Sequence, residues 1–421
     1  FIFYLGTLYW LYHVTVIGLI ILCLYLAIYF GILGIVISRF GILAAPIAWV
    51  ILEYIQANIS IMGFGWMPLG YSQYKNLLLI QIADFSEVYG VSFVIMMVNA
   101  GVYMSLRVRL GRRSNFLFAM TTLVLIATCA YGFFRLNERQ GTNSLRVSVI
   151  QGNISQELKW DPDAQDMIIE KYISLTKMSA LDNPDLIVWP ETSFPGFFET
   201  DKEMTDEVLD LAKEIKIPIL LGANTEKLLP PQLQELPNTA TPGAAVGDAS
   251  YFNSAILISS EGKVADIYDK IHLVPFGEYV PFSNKFPSLH KLVLGELGEF
   301  TPGKEFTLFT LHPSPFTKTY NFATLICFED IFPEISRKFV QNGAQFLVVV
   351  TNDAWYGKSG AAYQHAACSV FRAIENRIPV VRCANTGYSC FIDSRGRIYD
   401  SVSEKDTRLF ITGYKTSLLT F

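Results

Sequence analysis

Residues 14–38, VTVIGLIILCLYLAIYFGILGIVIS, contain no charged side chain. A helix needs about 20 consecutive apolar residues to cross a bilayer, so this stretch predicts a membrane span. Four neighbouring stretches are similarly apolar, with Glu53 as their one charge: 1–13, 41–60, 88–106 and 115–134. The first of them is too short to span, and we interpret it as a span cut short at the start of a fragment. The pattern predicts a membrane domain over residues 1–137 with about five visible spans.

The composition of the 421-residue chain agrees with this interpretation. Hydrophobic residues make up 51%, charged residues only 17%, and the mean hydropathy is +0.32. These values exclude a disordered chain and a small disulfide scaffold. The net charge of −5 gives no reason to expect nucleic acid as a partner. The six cysteines lack the spacing of a zinc site, so no metal is expected.

The character of the sequence changes after residue 137, where charges become frequent and short apolar runs alternate with amphipathic stretches. This alternation predicts an α/β domain over residues 145–415. Residues 229–250 and 285–303 are predicted to be long loops, and 286–300 is a candidate lid. The predicted strands are 145–151, 185–189, 217–222, 251–259, 320–327, 345–351 and 378–383, and the predicted helices are 162–180, 204–215, 331–341 and 360–376.

The distribution of arginines predicts the orientation in the membrane, because short cytoplasmic loops are rich in Lys and Arg. Arg39 follows the first long span, and four more arginines lie within residues 107–113. Both loops lie on one side if each apolar run crosses once. The last span then ends on the opposite side, which places the α/β domain outside the cytoplasm. A re-entrant run would reverse this orientation.

Glu53 is an ionisable residue inside an apolar run. Such residues are costly within a bilayer and often mark functional sites. The alternative is that Glu53 lies near the outer end of its helix and only packs against water or a neighbouring helix. The sequence does not decide between these two interpretations.

Three reactive side chains follow predicted strands in the α/β domain. Glu191 comes after an apolar strand and a proline, Lys270 lies in YDKIHLVPFGE, and Cys327 ends the strand LIC. A carboxylate, an ammonium and a thiol form a plausible nucleophilic set. The glutamate can accept the thiol proton, and the lysine can stabilise an oxyanion. The lysine charge also favours the thiolate.

The spacing alone leaves a second arrangement open. His272 and His365 allow a Cys–His site, and neither histidine has a local reason to be preferred. Glu278 and Glu329 are either catalytic helpers or structural carboxylates. At this point a Cys–Glu–Lys site and a Cys–His site remain equally possible.

Four motifs in this order resemble the carbon–nitrogen hydrolase (nitrilase) superfamily: WPET at 189–192, YDKIHLVPFGEYVP at 268–281, LICFED at 325–330 and TNDAWYG at 351–357. Together with the apolar spans that precede them, they resemble the apolipoprotein N-acyltransferase family over nearly all of the chain. Members of that family usually have eight spans, one of them after the catalytic domain, which this sequence does not show. Phe328 stands where many members have tyrosine.

The resemblance implies a nitrilase-type α-β-β-α sandwich with Glu191, Lys270 and Cys327 as the catalytic triad. It also implies supporting or substrate-binding roles for a second set of residues: Glu278, Glu329, Trp160, Trp355 and Phe328. The choice of glutamate and lysine over histidine rests on this resemblance.

The activity that the resemblance implies is acyl transfer in the bacterial inner membrane. A phospholipid is the acyl donor, and the N-terminal amine of a diacylglyceryl-cysteine apolipoprotein is the acceptor, with a thioester on the cysteine between the two steps. We expect a monomer whose catalytic domain lies on the periplasmic side, and the chemistry requires no cofactor. The alternative is a membrane-tethered amidase or nitrilase that acts on a small soluble substrate.

Overall fold

The computed structural model describes residues 1–59, 63–107, 112–139, 141–228, 249–282, 299–312 and 318–421. Most of the predicted loops 229–250 and 285–303, the candidate lid 286–300 and part of the arginine-bearing loop 107–113 lie outside these residues. The predictions made for these segments therefore stay predictions.

The N-terminal region is helical. Thr15 precedes its first long apolar helix, and the Thr15 side chain accepts a hydrogen bond from the Gly18 N–H as an N-cap. Most side chains of that helix are exposed, as lipid-facing side chains are. The helices are α1 (Ile2–Thr7), α2 (Val16–Phe40), α3 (Ala45–Asn58), α4 (Leu77–Ile80), α5 (Ala83–Arg107) and α6 (Arg112–Leu136).

Three described helices are long and apolar enough to cross a membrane: Val16–Phe40, Ala83–Leu106 and Phe118–Leu136. The predicted run 41–60 forms a shorter apolar helix. Residues 1–13, interpreted as a shortened span, form α1 and a 3-10 helix at Tyr9–His13 instead of one continuous helix. The number of spans stays a prediction.

The α/β region follows. Its helices are α7 (Gln156–Lys159), α8 (Gln165–Ala180), α9 (Lys202–Ile215), α10 (Pro333–Gln341) and α11 (Ala361–Asn376). Its strands are β1 (Ser144–Gln151), β2 (Leu186–Val188), β3 (Phe197–Phe198), β4 (Ile219–Leu228), β5 (Ala249–Ile258), β6 (Val264–Asp269), β7 (Phe309–Leu311), β8 (Tyr320–Ile326), β9 (Phe346–Thr351), β10 (Val380–Ala384), β11 (Cys390–Ile392), β12 (Ile398–Ser401) and β13 (Gly413–Thr420). All seven predicted strands and four predicted helices are present with shifted ends. The sequence missed β3, β6, β7, β11, β12 and β13.

The strands form two sheets. The first has the order β13-β1-β2-β4-β5-β6 with β3 paired to β4, and the second has the order β12-β11-β10-β9-β8-β7. β1, β2 and β4 run parallel, as do β8, β9 and β10. Carboxyl ends of parallel neighbours meet at one edge of a sheet, so the loops that follow them converge.

Alternating side chains on the first sheet separate two cores. Leu186 and Val188 on β2 join the core shared with the second sheet, whereas Ile187 between them packs with α8 and α9. This alternation is the period-2 pattern of a strand buried on both faces. The second sheet is covered on its other face by α10 and α11. The layers are therefore helices, sheet, sheet and helices, as the α-β-β-α prediction requires.

The helical region contacts the α/β region through α11. Gln364 on α11 accepts hydrogen bonds from the indole N–H groups of Trp10 (2.9 Å) and Trp66 (3.1 Å). Arg377, just after α11, forms an ion pair with Asp84 at 2.6 Å. These polar contacts fix the apolar helices beside the helix that also supports the candidate active site.

Candidate active site

Cys327 lies where β8 ends and a 3-10 helix, Cys327–Ile331, begins. Its φ of +52° is in the left-handed region, which is strained for a residue other than glycine. The side chain is 7% exposed. The sharp turn at this strand end presents the thiol away from the strand direction, at the edge where the loops converge.

Glu191 follows β2 after Trp189 and Pro190. Asn253 Nδ2 donates to Glu191 Oε1 at 2.9 Å, and the Asn352 N–H donates to Oε2 at 2.8 Å. Lys159 Nζ donates to the backbone carbonyl of Glu191 at 3.0 Å. The carboxylate is thus buried and held in one orientation from both sheets.

Lys270 follows β6 and is almost completely buried between two carboxylates. Its Nζ lies 2.9 Å from Glu278 Oε1 and 3.7 Å from Glu191 Oε1. Asn253 Nδ2 also donates to Glu278 Oε1 at 2.9 Å, which links both glutamates. Burial opposes the charged form, but Glu278, Glu191 and Cys327 outweigh it and raise the pKa of Lys270. These surroundings therefore favour the charged ammonium.

The surroundings of Cys327 favour the protonated thiol. Burial is the main reason that its pKa is raised, and the negative charge of Glu191 adds to the effect. Lys270 opposes the shift without overcoming it. A thiol in this state needs a base to become a nucleophile, and Glu191 and Lys270 are close enough to act on it electrostatically.

Glu329, two residues after the thiol, is completely buried. Its Oε1 accepts hydrogen bonds from Tyr268 OH (2.8 Å) and from the N–H groups of Ile271 (2.7 Å) and His272 (3.1 Å). Its Oε2 accepts from the Ile326 N–H at 2.8 Å. Glu329 therefore ties the segment after Lys270 to the strand end before Cys327.

The two histidines occupy positions that do not suit a base. His365 Nδ1 lies 2.9 Å from Asp353 Oδ1, and its Nε2 lies 3.2 Å from the carbonyl oxygen of Cys327. Both ring nitrogens are therefore engaged by these two oxygens rather than by the Cys327 thiol.

His272 packs its ring against Phe332 at 3.9 Å between centroids, and Phe328 lies 5.9 Å away. Burial and then the charge of Lys270 lower the pKa of His272 to about 4. The ring is neutral and surrounded by aromatic side chains. The geometry thus favours the Cys–Glu–Lys arrangement over the Cys–His one.

The remaining predicted residues lie at the periphery. Trp160 is 44% exposed and Trp355 is 38% exposed, whereas Phe328 is buried. Within the described ranges, no group of three or more His, Cys, Asp or Glu side chains is arranged to hold a metal ion. Both tryptophans are thus partly exposed, and their role in substrate binding stays a prediction.

Sequence reasoning assigned no role to three residues that shape the site. Asn253 joins the two glutamates, Asn352 contributes its backbone N–H, and Lys159 supports the Glu191 carbonyl. Burial lowers the pKa of Lys159 to about 8, against the opposing charges of Glu191 and Cys327. Asn352 lies in the TNDAWYG motif, which was a signal for it, but no chemical reason pointed to its backbone.

Comparisons with known proteins cover both regions. The carbon–nitrogen hydrolase family matches residues 146–416, and the apolipoprotein N-acyltransferase N-terminal domain matches residues 1–101. The apolipoprotein N-acyltransferase of Geobacter metallireducens is 39% identical over 93% of this chain and 73% of its own length. That of Chlorobaculum tepidum is 36% identical over 86% of this chain and 68% of its own length.

Among solved structures, Saccharomyces cerevisiae Nit3 of the nitrilase superfamily is similar at 18% identity, with a TM-score of 0.45 over 67% of this chain and 92% of that one. The two family matches together span most of the described helices and both sheets. Since one match covers more than half of the residues and the relatives exceed 30% identity, the chain belongs to the apolipoprotein N-acyltransferase family and carries a carbon–nitrogen hydrolase domain.

Proposed function

We propose that this chain transfers a fatty acyl group from a phospholipid to the N-terminal amine of a diacylglyceryl-cysteine apolipoprotein, through a thioester on Cys327. The observation that carries the proposal is the buried thiol at a strained strand end, beside the Lys270 and Glu191 pair, in a member of this family. The candidate membrane helices and the relatives' names indicate a bacterial membrane protein.

The first step forms the acyl-enzyme. Glu191 accepts the thiol proton as the sulfur attacks the ester carbonyl carbon of the phospholipid, and Lys270 stabilises the oxyanion. The carbon–oxygen bond of the ester then breaks. The lysophospholipid leaves after its alkoxide takes the proton back from Glu191, and a thioester remains.

The second step forms the amide. The neutral α-amine of the apolipoprotein attacks the thioester carbon, and Glu191 accepts a proton from the nitrogen. The carbon–sulfur bond breaks, and the thiolate regains that proton. Both steps use one base and one oxyanion site, which predicts ping-pong kinetics.

The supporting residues have separate tasks in this scheme. Glu278 holds Lys270 at 2.9 Å, and Glu329 fixes the two segments on which Lys270 and Cys327 lie. Phe328 is an apolar wall without the hydroxyl of a tyrosine. Trp160 and Trp355, partly exposed, contact the acyl chain as it enters.

We further assign residues 1–137 to a membrane domain and 145–415 to the catalytic domain of a monomer. The arginines near residues 39 and 107–113 favour a catalytic domain on the periplasmic side of the inner membrane. An anchored catalytic domain avoids extracting lipid substrates from the bilayer, where each buried CH₂ contributes about 0.8 kcal/mol. The relatives do not favour the alternative of an amidase with a soluble substrate.

The test follows the acyl group. The full chain is reconstituted in vesicles that contain phosphatidylethanolamine with radiolabelled acyl chains. Wild-type protein should acquire label that hydroxylamine removes, as a thioester does, whereas Cys327→Ala should acquire none. Cys368→Ala, which removes a buried thiol on α11 outside the site, is the matched control and should be labelled like wild type.

The second step is then tested by adding a diacylated lipopeptide. A free N-terminus should take the label as an amide, and an N-acetylated lipopeptide should leave it on the enzyme. Equal labelling of Cys327→Ala contradicts the assignment of the nucleophile. Release of the label as free fatty acid in the presence of the lipopeptide contradicts acyl transfer and supports the hydrolase.

A further inference from the structure

Lys159 is a buried cation to which the proposed mechanism gives no task. It is the last residue of α7, and it is 7% exposed. Its Nζ donates to the main-chain carbonyl oxygen of Glu191 at 3.0 Å, and no second acceptor contacts Nζ within the described residues. A buried ammonium with one acceptor is costly, because its charge and its remaining N–H groups lose their water. The charge therefore needs an explanation at Glu191.

The turn after β2 is held in place without Lys159. The Ser193 N–H donates to the Gly222 carbonyl at 2.8 Å, and the Gly222 N–H donates to the Pro190 carbonyl at 3.2 Å. Gly222 lies so close to this turn that a Cβ on it would be 2.6 Å from the Glu191 Cα. β4 thus fixes the main chain on both sides of Glu191. An uncharged donor would satisfy the Glu191 carbonyl at a lower cost than an ammonium.

The segment around α7 is also anchored without the ammonium. Asn385 Oδ1 accepts from the Ile154 N–H at 2.9 Å, and Asn385 Nδ2 donates to the Ile154 carbonyl at 2.8 Å. Gln156 Oε1 accepts from Asn352 Nδ2 at 3.1 Å. These contacts between neutral groups hold α7 against residues that follow β9 and β10. Neither the turn nor α7 explains why the side chain at position 159 carries a charge.

The charges that act on Lys159 belong to the two groups that exchange a proton in the proposed reaction. Burial lowers the pKa of Lys159 to about 8, and the negative charges of Glu191 and Cys327 oppose that shift. Below pH 8 the side chain is therefore mainly charged. A charge in the protein interior acts strongly on its neighbours, because little water screens it.

Glu191 shares its surroundings with a second carboxylate. Lys270 Nζ lies 2.9 Å from Glu278 and 3.7 Å from Glu191, so its shorter contact is with Glu278. Lys159 is a second ammonium within range of Glu191. The titratable groups that face Glu191 come from α7 and from the segments after β6, β8 and β9: Lys159, Lys270, Glu278, Cys327 and Tyr356. The two lysines are the cations of this set.

We propose that Lys159 is a positioning residue whose charge, held at the main chain of Glu191, keeps the Glu191 carboxylate deprotonated and able to accept the thiol proton. The inference rests on the proposed acyl transfer and deepens its first step. Removing a nearby cation favours the protonated form of a carboxyl group. Without the charge of Lys159, the base should therefore become protonated at a higher pH than in wild type.

The test compares the pH dependence of thioester formation in wild type and two variants. Lys159→Met removes the charge and the donor, whereas Lys159→Gln removes the charge and keeps an N–H donor. Each full chain is reconstituted with acyl-labelled phosphatidylethanolamine, and single-turnover labelling is measured from pH 5 to pH 9. The acid limb of the profile should move upward by about one pH unit in both variants. On that limb, the rate at a given pH should fall about tenfold.

The upper end of the pH range distinguishes a charge from a contact. Above about pH 8, Lys159 of the wild type loses its proton, so the rates of wild type and both variants should converge. Lys177→Met, which removes an exposed lysine paired with Glu214, is the matched control and should keep the wild-type profile. The thermal midpoint of each protein is recorded, because the lost hydrogen bond lowers stability without moving the limb.

A purely structural role would give a different pattern. A rate lowered by the same factor at every pH, or a Lys159→Gln profile equal to that of wild type, overturns the proposal. Lys159→Arg keeps a cation and serves as the test where the neutral variants do not fold. Its limb should stay at the wild-type position whatever its maximal rate, and a limb displaced like that of Lys159→Met overturns the proposal.

Failure of the proposed function gives a separate result. A wild-type protein that forms no thioester from the phospholipid contradicts acyl transfer itself. A wild-type thioester, with the same acid limb in all the Lys159 variants, contradicts only the role of Lys159.

Discussion

Two buried polar clusters flank the segment that carries Cys327, and they contain similar side chains. The reactive cluster consists of Glu191, Asn253, Lys270 and Glu278. The supporting cluster consists of Asp330, Asp353, His365 and Arg382. In the supporting cluster, Arg382 contacts Asp330 at 3.2 Å and Asp353 at 3.3 Å, and His365 contacts Asp353 at 2.9 Å.

The clusters differ in how their carboxylates are held. In the supporting cluster, one arginine contacts both carboxylates directly. In the reactive cluster, Glu191 accepts from the neutral N–H groups of Asn253 and Asn352, and Lys270 Nζ lies farther away, at 3.7 Å. A direct arginine contact favours the charged form of a carboxylate, so Glu191 is better placed to accept a proton. We therefore expect proton transfer in the reactive cluster and support of the backbone from the other.

Glu191→Gln should produce the largest effect, because it removes the proposed base. General bases contribute about 10²–10⁴-fold, so the rate of thioester formation should fall by about 10³-fold. The glutamine can still accept from one of its two donors, so the loss of stability should be about 1 kcal/mol. Single-turnover labelling and the thermal midpoint measure the two effects.

Glu207→Gln, on the exposed face of α9, is the matched control and should change neither quantity. A Glu191→Gln enzyme that labels within tenfold of wild type contradicts the assignment of this carboxylate as the base.

His365→Ala should produce a smaller loss of rate and a larger loss of stability. It removes a contact from the Cys327 carbonyl and one from Asp353 Oδ1, which keeps the Thr351 hydroxyl as a donor, and this loss in a buried site costs about 1–3 kcal/mol. The strained turn at Cys327 also loses its support, and labelling should slow about 10–100-fold. The thermal midpoint should fall well below that of Glu191→Gln.

The pH profile distinguishes support from catalysis. His365→Ala should keep the wild-type dependence of the labelling rate on pH, because the base is unchanged. A loss of rate as large as that of Glu191→Gln, together with a lost limb of the profile, would establish the Cys–His alternative instead.

The helices and strands that the sequence predicted are those formed by continuous apolar runs. The long helices are visible as uncharged runs, and β8 and β9 as short apolar runs between turn residues. β13 was missed because only Leu419 of its eight residues is buried. It is held by antiparallel pairing along the whole of β1, and such a long-range contact leaves no local pattern.

The site residues likewise divide into those that the sequence predicted and those that only the structure shows. Glu191, Lys270 and Cys327 were visible because each follows a strand, but the choice against histidine needed the family resemblance. Asn253 lies inside β5, and its role depends on contacts with residues 62 and 25 positions away. His365 is one of many buried residues on α11, and only the geometry shows that both its nitrogens face acceptors.

His272 belongs to neither cluster, and its effect should be the smallest. Its folded-state pKa of about 4 lies below the histidine value of about 6.5 in an unfolded chain. The unfolded chain therefore binds more protons between these values. The contribution of the neutral ring is complete above pH 6.5 and is lost as the pH falls toward 4.

Replacing His272 with phenylalanine removes this titration while preserving the contacts with Phe328 and Phe332. Between pH 7 and pH 4.5, the thermal midpoint of His272→Phe should fall less than that of wild type. The corresponding difference in unfolding free energy is about 2 kcal/mol. The labelling rate at neutral pH should stay within about threefold. If the thermal midpoints of wild type and His272→Phe depend on pH in the same way, the His272 ring is solvated. A loss of labelling at pH 7 would make His272 a candidate base again, acting together with the reactive cluster.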